Sequence, residues 1–76
     1  MKKYASTLAK EHELGTNEND FFAYIVESLL NGQRSQVRSL FNSMKTDCKH
    51  NFLINYLDIS IGIQKSCLNI CIAEMK

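Results

Sequence analysis

Phe21, Phe22, Ile25, Val26, Leu29 and Leu30 fall within one half of a circle drawn at 100° per residue, and no other feature constrains the fold of this chain as tightly. A strand would divide these side chains between two faces, whereas a helix over about residues 18–31 gathers them on one. That helix has to bury its apolar arc against other elements, so it is expected to be the centre of the core. Thr16 or Asn17 stands where an N-cap is needed. Glu18 and Asp20 place negative charge in the first turn, where the helix dipole favours it. Tyr24 projects from the opposite side, among Asp20, Glu27 and Asn31, and its ring is expected to be exposed or engaged by a partner.

The flanking segments supply elements of the same kind. Tyr4, Leu8 and His12 recur at i, i+4 and i+8 with Ala5 and Ala9 beside them, which predicts a first helix over 2–14 stopped by Gly15. His12 lies on the apolar side of that helix and is read as a partly buried histidine hydrogen-bonded to a neighbour. After the break at Asn31 and Gly32, Val37, Leu40, Phe41 and Met44 repeat at helical spacing, giving a third helix from Gln33 to about Lys45. Asp47 reads as the cap of a short fourth helix bearing Phe52, Leu53, Tyr56 and Leu57, which the segment 58–62 interrupts. The last helix, about 63–75, carries Cys67, Leu68, Cys71, Ile72 and Met75 on one face, with Ile70 to the side. Ile59, Ile61 and Ile63 alternate with Ser60 and Gly62 as a strand would, but a lone short strand has no partner here. The reading is an all-α bundle of about five short helices around one core, a single domain spanning 1–76.

A chain of 76 residues has room for one core. At that length apolar burial and ordering entropy nearly cancel, so marginal stability or help from a second copy is expected. Nine Lys and Arg against eight Asp and Glu leave it close to neutral, which excludes the broad basic signature of a histone-like binder. Cys48, Cys67 and Cys71 are an odd set without a secretory leader, which points to free thiols in a reducing compartment and hence to the cytoplasm. The longest apolar run, 21–26, is far short of the ~20 residues needed to cross a bilayer, so no membrane role is expected.

Chemistry finds little support. Cys67 and Cys71 lie one turn apart, and with Cys48 and His50 they contain the atoms of a zinc site. They are interleaved with Leu68, Ile72 and Met75, no C-x2-C knuckle is present, and a packing role is the better reading. No phosphate loop, nucleophile elbow, zincin helix or dinucleotide fingerprint occurs. No catalytic residue, metal, cofactor or small-molecule substrate is therefore assigned, and the chain is read as a non-enzyme.

The uneven distribution of charge is more informative. Residues 11–27 hold five acids and no base, while 34–49 hold four bases and one acid. On the third helix Arg34, Arg38 and Lys45 project within about 40° of one another, a basic stripe expected to be exposed and to contact an acidic partner. With Tyr24 these are the partner-binding residues expected from sequence. The Asn31–Gly32 break followed by Gln33, Arg34, Ser35 and Gln36 also invites a helix-turn-helix reading, with nucleic acid met by the basic helix 33–45. Arg38 stands where that motif wants a buried aliphatic residue, and Val37 is one position out of phase.

The stretch from Ile25 to Asn42, together with Phe52-Leu-Ile-Asn-Tyr-Leu57, resembles small uncharacterised helical proteins carried by gut Bacteroidota and their phages or mobile elements. The resemblance covers roughly half the chain and brings no catalytic or binding motif; it implies an accessory or regulatory role in a bacterial cytoplasm. The reading that results is a protein-interaction module, self-associating as a homodimer or a subunit of a larger assembly. Ile54, Ile59, Ile61 and Ile70, which lie off the main stripes, are its expected contact patch. A nucleic-acid-binding regulator is the alternative.

Overall fold

A computed structural model describes residues 2–75. Five α-helices follow one another: α1 (Ala5–Glu11), α2 (Glu18–Leu30), α3 (Arg34–Asn42), α4 (Thr46–Asn51), which continues into a π turn (Phe52–Tyr56), and α5 (Gly62–Glu74). The all-α bundle expected from sequence is the fold observed. Of residues 59–63, with their strand-like alternation, 59–61 form a turn and bend leading into α5, and 62–63 open that helix.

The central helix starts and stops as its sequence dictates. Asn17 is the N-cap: its side chain accepts the Asn19 N–H at 2.9 Å while Asp20 accepts the Asn17 N–H at 3.3 Å. At the other end Gly32, at φ 76°, lets its own N–H reach Leu29 and that of Gln33 reach Ser28, closing the helix. Phe21, Phe22, Ile25, Val26 and Leu29 are buried, but Leu30, at the margin of the arc, is exposed.

The first helix is shorter than the 2–14 read from the sequence, for a reason at each end. Lys3 is drawn into a β-bridge with Met44, its N–H bonded to Ser43 at 2.9 Å and its carbonyl to Lys45 at 2.8 Å, so the chain enters extended. At the C-terminus Glu13, not Gly15, takes the left-handed conformation at φ 58°. The N–H of Leu14 then bonds to Ala9 at 2.8 Å and that of Glu13 to Lys10 at 3.1 Å, the double bond pattern of a helix stop. His12, just before it, is exposed and not the partly buried, hydrogen-bonded residue expected. Its ring rests against Phe21 and Tyr24, with centroids 5.8 and 5.9 Å away.

The third helix ends at Asn42, three residues early, and Lys45 serves as N-cap of α4; Asp47 lies inside the first turn of α4 and is not the cap. The apolar stripe of α3 is buried as expected, Val37, Leu40, Phe41 and Met44 all lying in the core. Phe52 joins it, packed on Phe22 at 5.1 Å and Phe41 at 6.2 Å. Burying each such ring is worth about 1.5–3 kcal/mol. Phe52 and Leu57 are five residues apart, and both are buried. An α-helix would turn one of them away, whereas the π turn, closed by the Leu57 N–H on the Phe52 carbonyl at 3.0 Å, stacks both on the core side.

α5 is rotated from its expected orientation. Cys67, Ile70 and Cys71 are buried with Ile63 half-buried beside them, so Ile70 belongs to the core. Ile72 and Met75, expected on the buried face, are 42% and 41% exposed. Large apolar residues cover about 200° of this helix, more than its neighbours can bury, and its contacts with α2 and α3 select which of them go inward.

Candidate interaction surface

The four partner-binding residues read from sequence do not form one site. Tyr24 is half-buried, its hydroxyl accepting a hydrogen bond from the Gln36 amide at 3.1 Å, so its partner lies within the chain. α1 and α3 flank α2 at that point, which is why the side opposite the main apolar arc is covered. The Gln36 amide also donates to Ser28 Oγ at 2.9 Å, and Ser28, buried, donates to the Tyr24 carbonyl at 3.0 Å. Gln36 is thereby committed to the fold and withdrawn from any base-reading role.

The basic row is also broken. Because α3 stops at Asn42, Lys45 leaves its line and places its ammonium over the Tyr4 ring, 4.4 Å from the centroid. Arg34 is exposed. Arg38 is half-exposed, with Nε 3.9 Å from Glu74 of α5, an ion pair of small energetic weight. The acids of α2 take no part in it. Glu74 is a residue the sequence reading missed. It also accepts a hydrogen bond from the Asn42 amide at 2.7 Å, across 32 positions of sequence and without a local signal to announce it.

A second polar group escaped the sequence reading. Asn55 donates to Asn51 and Asn51 to Glu18, each at 2.6 Å, along a cleft that Phe22 and Tyr56 floor. Burial pushes the Tyr56 hydroxyl pKa above its ordinary value.

The thiols lie inside. Cys48 Sγ accepts the Ala5 N–H at 3.4 Å, tying α4 to α1. Cys67 and Cys71 are hydrogen-bonded to each other; that bond, helped by burial, drives the Cys71 thiol far above its ordinary pKa, and it draws Cys67 down against burial. Among the described residues no three His, Cys, Asp or Glu side chains are grouped to hold a metal ion. Among the same residues no helix is long and apolar enough to cross a membrane.

What the rotation of α5 leaves outside is an ordered apolar seam. Ile61, Lys65, Leu68, Ile72 and Met75 follow one another at spacings of four, three, four and three, within about 80° of arc and on average about 120° from Cys67. Ile61 is 45% exposed, Leu68 is half-buried, and Ile72 and Met75 are open to solvent. From Ile61 to Met75 the seam runs about 21 Å at 1.5 Å per residue. Ile54 and Ile59, at 74% and 65% exposure, immediately precede it in the chain. Of the expected contact patch Ile54, Ile59 and Ile61 are thus on the surface, and Ile70 is not. Compared with family models, curated proteins and solved structures, the chain matches none of them.

Proposed function

We propose that the chain is a non-enzymatic protein-interaction module whose partner is a second copy of itself, joined along the outer face of α5. The observation that supports this reading is the spacing of the exposed seam, which repeats every 3.5 residues as the contact line of paired helices does. Lys65 interrupts it once. A single cation in such a seam weakens pairing while fixing its register. An antiparallel pairing about Leu68 brings the Ile61 end of one copy to the Met75 end of the other, a self-complementary arrangement that closes at two copies.

The footprint sets the strength. A seam of about 21 Å on a helix roughly 10 Å wide covers on the order of 200 Å², a quarter of the ~800 Å² per partner typical of stable complexes. Ile54 and Ile59 have to enlarge it, and the association is reversible, at tens to hundreds of micromolar. The resemblance of residues 25–42 and 52–57 to helical proteins of gut Bacteroidota and their mobile elements supports a regulatory or accessory role in a bacterial cytoplasm. A nucleic-acid regulator acting through α3 has less behind it. Gln36 and Lys45 are engaged within the fold, and Arg34 is the cation of that row left without a partner among the described residues.

Sedimentation velocity across the micromolar range tests the proposal. The native chain should shift from monomer to dimer in a manner insensitive to salt, Ile72→Glu should remain monomeric with an unchanged melting temperature, and Lys65→Leu should dimerise at lower concentration. A native chain and Lys65→Leu variant that both stay monomeric at high micromolar concentration would refute it.

A further inference from the structure

The C-terminal end of α3 collects more positive charge than its surroundings account for. Its last carbonyls are already satisfied: Ser39, Leu40 and Phe41 accept backbone N–H groups of Ser43 and Met44, Ser43 accepts from Lys3, and Asn42 accepts from the Lys2 ammonium. Lys49 arrives from α4 with its ammonium 5.4 Å above the Phe41 ring, and Arg38 reaches the same corner to meet Glu74. Three cations thus face one carboxylate and the roughly half negative charge of a helix end, an excess of about one and a half charges. The strain registers on Lys49: burial lowers its ammonium pKa, the neighbouring Lys2 lowers it further, and Glu74 raises it. Beside these groups opens a cleft of about 350 Å³ lined by Lys2, Ser39, Asn42 and Ser43.

Like charges brought together without a counter-charge weaken a fold unless an anion joins them. We infer that this cleft is a binding site for a phosphate monoester dianion, held by the Lys2 ammonium and the Ser39 hydroxyl of its lining together with the Lys49 ammonium and the Arg38 guanidinium beside it. The compact grouping suits one terminal phosphate better than a phosphodiester backbone, which would engage a row of cations along a helix. Glu74 is the built-in competitor: it holds Arg38 and the Asn42 amide until a phosphate takes its place.

The inference is tested by following backbone amide NMR signals of the whole chain as inorganic phosphate is added at constant ionic strength. Saturable shifts are expected at Ser39, Asn42, Ser43 and Lys49. Lys49→Met keeps the aliphatic stem on Phe41 and should weaken binding about tenfold, the loss of one charge-assisted hydrogen bond. Lys2→Met should do the same, Glu74→Gln should tighten binding by removing the competitor, and Lys10→Met on α1 should change nothing. A nucleoside 5′-monophosphate should bind at least as tightly as phosphate. Shifts that rise without saturation and equally with chloride, a Glu74→Gln variant that binds no better, or exclusion of the monophosphate would each overturn the assignment.

Discussion

Glu13→Gly should stabilise the fold. Glu13 holds φ at 58° to close α1, is exposed, and among the described residues makes no side-chain hydrogen bond or ion pair. A side chain at that conformation costs about 1–2 kcal/mol that glycine does not. Glycine returns about 0.4–1 kcal/mol of this through the freedom it adds to the unfolded chain. The net is a gain of about 0.5–1 kcal/mol, which in a domain of this length raises Tm by roughly 3–6 °C. Thermal melts followed by circular dichroism, with denaturant titration to confirm an unchanged slope, measure it. Gly15→Ala is the opposing control. Gly15, at φ 151°, has the Asp20 carboxylate where a Cβ would go, and displacing Asp20 opens the cap of α2, so this variant should melt lower. A Glu13→Gly protein that melts at or below the native temperature would show that Glu13 has a structural role and that the helix stop is not strained.

Two further outcomes follow from the core. Phe52→Ala empties the space between Phe22 and Phe41 and should cost about 3–5 kcal/mol, enough to leave much of the chain unfolded at room temperature; a melting curve close to native would place the aromatic cluster outside the stabilising core. Tyr56, whose hydroxyl pKa is raised by burial, ionises in the unfolded chain before it does in the folded one. Its contribution is therefore intact below its unfolded pKa of about 10 and is lost as pH climbs from there through the folded value. Stability against urea should fall over that alkaline interval and fall less in Tyr56→Phe; equal losses in the two proteins would remove Tyr56 as the cause.

The legibility of each element in the sequence depends on how one-sided it is. α2 and α3 carry apolar residues on a single arc with polar residues opposite, so period and orientation were both readable, down to the Gly32 stop and a cap narrowed to Thr16 or Asn17, of which the structure uses Asn17. In α5 the period was readable but the orientation was not. Ile63, Cys67 and Ile70 form one apolar line and Leu68, Ile72 and Met75 another, and only contact with α2 and α3 decides between them. The stop of α1 was misplaced because its left-handed residue is a glutamate, which carries no such signal, while a glycine two positions later does. Lys45 was lost from the basic stripe because the break after Asn42 is made by the extended residue Lys3, about forty positions away. The π turn has a sequence mark, the five-residue interval between Phe52 and Leu57, visible once both are known to be buried. Glu74 and Lys2 came to the charged cleft from the opposite ends of the chain, beyond the reach of any local pattern.

The three buried cysteines divide the molecule in a way that can be timed. Cys48 is held by α4 against α1, and Cys67 and Cys71 by α5 against the core. A thiol reagent reaches each only when its helix lifts away, so the alkylation rate is a clock for that opening. Equal rates at all three would mean that the chain opens as one unit. A faster clock at Cys48 would mark α4 and its π turn as a segment that detaches while α2, α3 and α5 stay folded, leaving the seam of α5 in place throughout.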